Sequence, residues 1–315
     1  MNSILYDRRI SSNLFKVTDD KETQIEFSTL LVNKSLNMLF QPIVNLNDGS
    51  LLGYEGLTRG PRGSRFHSPI DLFSYAEQCG SLYPLEKTAR ELAFQYSQSV
   101  IKKGQKLFIN INSQVIYDPG FTPGHTISLL KQQDLSPSNV VFEITERNAI
   151  QDFQAFKEVL NHYRAQGFKI AIDDAGAGYS SLQAITELMP DYIKVDRSLI
   201  SGIHNNEVKM HILHAFVTLA KKTGSTIIAE GIETKEELQT VMQLGISVGQ
   251  GYYLAYPDYP TKNIPVDVLQ EIHQFNQKTM DNRASRKTIV AQIDDEIIIM
   301  EQDRVIKKSI INRLL

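Results

Sequence analysis

The chain has 315 residues, 42% of them hydrophobic, with 33 Lys and Arg against 36 Asp and Glu, a net charge of −3. That length and apolar content support one large domain with a substantial core and a small appendage. The lack of a basic excess argues against a DNA or RNA duplex or a charged membrane surface as partner. No apolar run has the length of a signal peptide core or a membrane span, and the single cysteine, Cys79, excludes an intrachain disulfide. The expected location is the cytoplasm.

In chain order, residues 1–24 read as a polar leader, and apolar residues at helical spacing predict a helix over 25–38. Two apolar runs, 39–44 and 51–57, flank Asp48-Gly49, the pattern of a hairpin. Strands are then expected over 107–111, 140–145, 168–173, 192–195, 226–229 and 247–253, with helices over 84–103, 151–166, 207–223 and 235–244. Such alternation implies parallel strands covered by helices. A count near eight favours a closed, TIM-like (β/α)8 barrel over 25–262, and no Gly-rich dinucleotide fingerprint follows the first strand. Beyond it, 263–315 reads as a closing helix (267–280), a polar linker (281–287) and two short strands (288–293 and 296–300). This extension is either a dimer element or the beginning of a second domain.

Most of these strands carry one polar group at or near the C-terminal end: Glu55, Asn110, Glu143, Asp173 with Asp174, Lys194, Glu230 and Gln250. In a (β/α)8 barrel those ends converge on one face, where active sites lie. Several carboxylates in one barrel mouth repel one another and are costly to desolvate, so the cluster calls for cations. Carboxylates plus an Asn carbonyl are hard oxygen ligands that suit Mg²⁺ or Mn²⁺. Adjacent Asp173 and Asp174 let one carboxylate bridge two ions about 3.5–4 Å apart, a device for in-line displacement at phosphorus. Each residue also has a plain reading: a helix cap for the aspartates, a solvent-facing Glu143, a strand-end Lys194 with its head in water, a turn-forming Asn110. Those readings would have to hold at nearly every strand end at once. His211 and His214 at helical spacing, and Tyr252-Tyr253 as a base-stacking surface, are weaker candidates.

The ordered series resembles the EAL family of cyclic di-GMP phosphodiesterases. It runs through Gln41-Pro42-Ile43-Val44, Glu55-Gly56-Leu57-Thr58-Arg59, Asn110, Glu143-Ile144-Thr145-Glu146 and Asp173-Asp174-Ala175-Gly176-Ala177-Gly178. It continues with Asp191-Tyr192-Ile193-Lys194-Val195-Asp196-Arg197, Ala229-Glu230-Gly231-Ile232-Glu233-Thr234 and Gly249-Gln250-Gly251-Tyr252-Tyr253. Any one motif is weak; their order across 25–260 is specific. The resemblance implies a barrel whose first strand is antiparallel. It implies hydrolysis of cyclic di-GMP to linear pGpG by two-metal, in-line attack of a metal-bound water. Glu55, Asn110, Glu143 and Asp173 would hold one ion, and Asp173, Asp174 and Glu230 the second. Lys194 would contact the attacking water or the phosphate, Gln250 would order a metal-bound water, and Glu146 would brace the loop after Asp174. Gln41, Arg59 and Asp196 would face the substrate. A homodimer and inhibition by Ca²⁺, whose longer bonds misplace the nucleophile, also follow.

Two departures stand out. The signature reads Glu-Gly-Leu rather than Glu-Ala-Leu. The loop after the aspartates reads Ala-Gly-Ala-Gly where the family usually has Phe-Gly-Thr-Gly, so Ala175 and Ala177 are expected to leave it more mobile. A second reading, a catalytically weak or inactive cyclic di-GMP receptor or interaction module, rests on that loop. A third, a magnesium-dependent barrel lyase with Lys194 as base, would need a sizeable capping domain before the barrel.

Overall fold

The computed structural model describes residues 21–112, 125–132, 135–145, 153–178, 181–291, 297–301 and 304–308. Eight strands close into a barrel: β1 Asn37–Asn45, β2 Leu51–Arg59, β3 Lys106–Asn110, β4 Val140–Thr145, β5 Lys169–Ala175, β6 Tyr192–Val195, β7 Thr226–Ala229 and β8 Val248–Gly249. β1 is antiparallel to both neighbours, β2 and β8, and the remaining pairs are parallel. The turn chemistry explains the first reversal. Asp48 accepts from both the N–H and the hydroxyl of Ser50, and Gly49 takes φ 72°, which costs a glycine little.

Each later strand starts from the same end and so needs a crossover. The helices are α1 Lys21–Val32, α2 Pro69–Gln78, α3 Leu82–Ser97, α4 His125–Gln132, α5 Phe153–Ala165, α6 Ser181–Leu188, α7 Arg197–Ile200, α8 Glu207–Thr223, α9 Lys235–Gln243 and α10 Val266–Ala291. Because helices cover the outside, strands are buried on both faces; β4 buries all its residues but the last. Inside the barrel, Ile43, Phe108, Val141, Ala171, Ile228 and Val248 form an apolar plug. Outside it, a larger core lies between strands and helices, where Phe142 packs on Tyr163 and Phe168 at centroid distances of 4.6 and 5.0 Å. Ahead of the barrel, Phe27 of α1 packs on Phe66 and Tyr75, which fixes the segment following Arg59. No described helix is long and apolar enough to cross a membrane.

Several expected boundaries move. The helix placed over 25–38 starts at Lys21 and stops at Val32. Lys34 takes φ 49°, and the N–H groups of Lys34 and Ser35 bond to the carbonyls of Leu31 and Leu30, a Schellman ending that frees the chain for β1. The last strand shrinks from 247–253 to Val248–Gly249, because after Gln250 the chain turns across Ile232. A Cβ on Gly251 would lie 2.2 Å from the Ile232 carbonyl oxygen, so only glycine fits there. The linker expected at 281–287 is helix, since α10 runs unbroken to Ala291 with no Gly or Pro to stop it. Of the two expected terminal strands, 296–300 is found as β9 Ile297–Glu301, whereas 288–291 belongs to α10; β9 pairs antiparallel with β10 Arg304–Lys308 instead.

Candidate active site

Polar side chains replace the apolar plug at the C-terminal ends of the strands. Lys194 on β6 is 1% exposed and lies at their centre. Its Nζ is 2.7 Å from Glu143, 2.7 Å from Glu230, 3.0 Å from Asp173 and 3.3 Å from Glu55. Glu55 ties further strands together. Its Oε1 accepts from Asn110 Nδ2 at 3.2 Å and its Oε2 from Gln250 Nε2 at 2.7 Å. Asn110 also donates to Glu143 at 3.1 Å, and Gln250 donates to Gln41 Oε1 at 3.0 Å. Register accounts for this convergence. Gln41 lies opposite Glu55, Asn110 opposite Glu143, and Thr145 opposite Asp173.

Consecutive strand residues should face opposite sides of a sheet, yet Asp173 and Asp174 both reach the site. The register of β5 against β6 shifts between Ile172 and Ala175, and Asp174 takes φ 56°, an uncommon conformation for a non-glycine residue. This local kink swings Asp174 back beside Asp173. Oxygen atoms of Asp173, Asp174 and Glu230 then lie within 4.8 Å of one another. Among the described residues no other trio of His, Cys, Asp or Glu is so placed. The set Glu55, Asn110, Glu143 and Asp173 instead surrounds the Lys194 ammonium, apart from Asn110, which touches two of its members.

The electrostatics are unbalanced. An ammonium has three protons, and here four carboxylates crowd it. Glu143 Oε1 and Asp173 Oδ1 are left buried in ion-pair contact without the angle of a hydrogen bond, and Gln250 Oε1 is buried with no donor among the described residues. Burial and the neighbouring Glu55 push the Glu143 carboxyl well above its ordinary range. Burial raises Glu230 likewise, and burial, Asp173 and Asp196 push Asp174 up to about 7. The surrounding carboxylates raise Lys194 despite its burial, so it stays charged. One protein cation thus faces four carboxylates, and the balance is left to protons or to bound cations.

The other candidates fall as follows. Arg59 lies half-buried near Tyr252 and Glu55, and burial lowers its guanidinium against their attraction. Gln41 is buried and bridges Gln250 to the Ala255 carbonyl. Asp196 caps α7 through the Ser198 N–H at 2.8 Å and is close enough to raise the Asp174 carboxyl by its charge. Glu146 lies outside the described residues. His211 and His214 are exposed on the outer face of α8, apart from this face. Tyr253 bonds Glu271 and packs against the core, whereas Tyr252 is exposed and stacks on Tyr256 at 4.5 Å and 21°. The Tyr252-Tyr253 pair does not point to Tyr256, whose four-residue spacing from Tyr252 is the available signal.

The Ala-Gly-Ala-Gly segment starts inside the barrel ladder. Ala175 ends β5, is wholly buried, and its carbonyl accepts from the Asp196 N–H at 3.0 Å. Gly176 N–H bonds Ser181 Oγ at 2.8 Å, and its Cα faces Leu199. The root of the loop is therefore anchored through the backbone. A phenyl ring at 175 would overpack it, so Ala175→Phe should cost about 1–3 kcal/mol in chemical denaturation.

Comparison with known proteins agrees with this geometry. The EAL domain model matches residues 25–257. A probable cyclic di-GMP phosphodiesterase of Escherichia coli, PdeG, is 32% identical over 230 residues, 71% of this chain and 45% of PdeG. Klebsiella pneumoniae BlrP1, solved as a manganese/cy-diGMP complex at pH 6, superposes with a TM-score of 0.66 at 32% identity, covering 71% of this chain and 56% of that one. Its calcium/cy-diGMP complex at pH 8.0 matches with a TM-score of 0.66 at 28% identity over 78% of this chain and 68% of that one. The chain thus spans about half the length of PdeG and of BlrP1 in the manganese complex. With a family match over most of the barrel and the strand-end residues gathered on one face, the chain belongs to the EAL domain family.

Proposed function

We propose that the chain is a metal-dependent phosphodiesterase that opens cyclic di-GMP to linear pGpG. The observation that carries this reading is the excess of strand-end carboxylates over one buried ammonium, with buried oxygens left unbonded. Hard anionic oxygens in surplus are what Mg²⁺ or Mn²⁺ requires, so the residues fit the group. Two such ions would supply Lewis acidity and an activated water in line with the scissile P–O bond.

Asp173, Asp174 and Glu230 would hold one ion; Glu55, Asn110, Glu143 and Asp173 would hold the other. Asn110 now presents its amide nitrogen to Glu55 and Glu143; half a turn of the amide presents the carbonyl oxygen instead, and the two orientations are equivalent in shape. Lys194 brings a fixed positive charge to the place where charge develops on phosphate oxygen. Gln250, held through its Nε2, offers an unbonded Oε1 to orient a water. Arg59 supplies a guanidinium for a non-bridging phosphate oxygen, and the Tyr252–Tyr256 stack beside it offers a flat apolar surface for a guanine. A cytoplasmic location and a homodimer accompany this reading.

Chromatography of cyclic di-GMP incubated with the protein and Mg²⁺ or Mn²⁺ tests it. A linear product is expected; unchanged substrate with tight binding would select the receptor reading. Ca²⁺ should inhibit in competition with Mg²⁺, because it takes more and longer bonds and tolerates irregular geometry. Equal rates with the two ions would exclude in-line catalysis of this kind.

A further inference from the structure

Glu86 and Arg90 lie one turn apart on α3, both 7% exposed, and neither touches the cluster around Lys194. A buried carboxyl on a barrel's outer helix is costly, so its partners are informative. Glu86 Oε1 accepts the backbone N–H of Asn112 at 2.9 Å. Its Oε2 is buried with no hydrogen-bond partner among the described residues. Burial pushes the carboxyl up to about 8, against the pull of Arg90 and the Asn112 N–H. Arg90 reaches the far side of the same crossover: Nη1 donates to Thr126 of α4 at 3.4 Å and to Tyr163 of α5 at 3.3 Å.

Asn112 is two residues past Asn110, where β3 has ended and its ladder no longer holds the chain. Between them, Ile111 N–H bonds the Glu143 carbonyl at 2.9 Å. The exit of β3 is therefore tied at three successive residues: Asn110 by its side chain, Ile111 by β4, and Asn112 by Glu86. The tie from Glu86 reaches the β3 exit from an outer helix. Without it the Asn112 N–H loses this acceptor, and the backbone just past Asn110 is held less firmly.

We infer that Glu86 is a positioning residue: through the Asn112 N–H it fixes the end of β3 so that Asn110 points into the metal-binding face. This rests on the metal-binding reading above. It differs from a purely structural role, because the bond is made to the ligand-bearing limb and needs an acceptor, not a charge. Glu86→Gln keeps the acceptor, Glu86→Ala removes it, and Asn112→Pro deletes the donor.

The test titrates each full-length variant with Mn²⁺ alone, reads free Mn²⁺ by EPR, and records Tm in parallel. Glu86→Ala and Asn112→Pro should weaken Mn²⁺ binding by about tenfold or more, the usual effect of losing a residue behind a ligand, while Glu86→Gln stays within about twofold of wild type. A lowered Tm with unchanged Mn²⁺ affinity in Glu86→Ala and Asn112→Pro would overturn the inference in favour of a purely structural role. Equal loss in Glu86→Gln and Glu86→Ala would overturn the acceptor argument. If Glu86→Ala fails to fold, Glu86→Gln and Asn112→Pro decide by the same criteria. No Mn²⁺ binding in the wild type would instead defeat the metal-binding reading itself, and the inference with it.

Discussion

Glu55→Ala is expected to remove turnover while leaving the barrel folded. Glu55 is where β2, β3, β6 and β8 meet, through Asn110, Lys194 and Gln250. Alanine deletes one oxygen donor and frees Asn110 and Gln250 to turn away. Losing a residue that merely supports a ligand costs about 10–100-fold. Losing a proposed ligand itself should exceed that, so kcat is expected to fall at least about a hundredfold. Asp173→Ala should do the same, since Asp173 faces both Lys194 and the group formed with Asp174 and Glu230. The fold should survive because the apolar plug and the outer core do not include either side chain. Product formation at saturating Mg²⁺ is the measurement; near wild-type activity in either variant would remove the two-metal reading.

Lys194→Met should separate metal binding from catalysis. In the wild type, one buried ammonium faces Glu55, Glu143, Asp173 and Glu230. Methionine keeps the side chain's length and apolar stem but removes the charge. Breaking a buried ionic cluster from one side costs about 3–5 kcal/mol, and the metal-free variant should melt correspondingly earlier. Protonation of Glu143 and Glu230, whose carboxyls are already raised, limits that loss at low pH. Cations should restore more stability to the variant than to the wild type, because the uncompensated charge attracts them more strongly. Turnover should nevertheless fall by about 10²–10³-fold, the cost of removing one donor aimed at the transition state. Melting curves with and without Mn²⁺, beside kcat at saturating metal, check both arms. A variant that binds Mn²⁺ more weakly than wild type, or that retains its kcat, would contradict this account of Lys194.

Amino-acid order alone determined the class of fold and most members of the site. Apolar runs alternating with amphipathic helices require a parallel, helix-covered sheet, and the Asp48-Gly49 turn reverses only the first strand. One polar residue per strand end was legible because the chain interrupts each apolar run at the same point, at Glu55, Asn110, Glu143, Asp173, Lys194 and Glu230. Tertiary structure decided what spacing cannot express. Asp173 and Asp174 share a face only because β5 slips against β6 and Asp174 takes a left-handed backbone, a cost that the surrounding ladder must impose. Lys194 meets four carboxylates only because barrel closure brings β2, β4, β5 and β7 around β6. Glu86 reads in sequence as an ordinary helix glutamate, and its bond to Asn112 exists only once α3 is laid against the end of β3. Ala175 looks like a missing anchor until packing shows it without exposed surface. Local pattern fixes which residues end a strand, whereas burial, register and backbone strain depend on contacts between segments far apart in the chain.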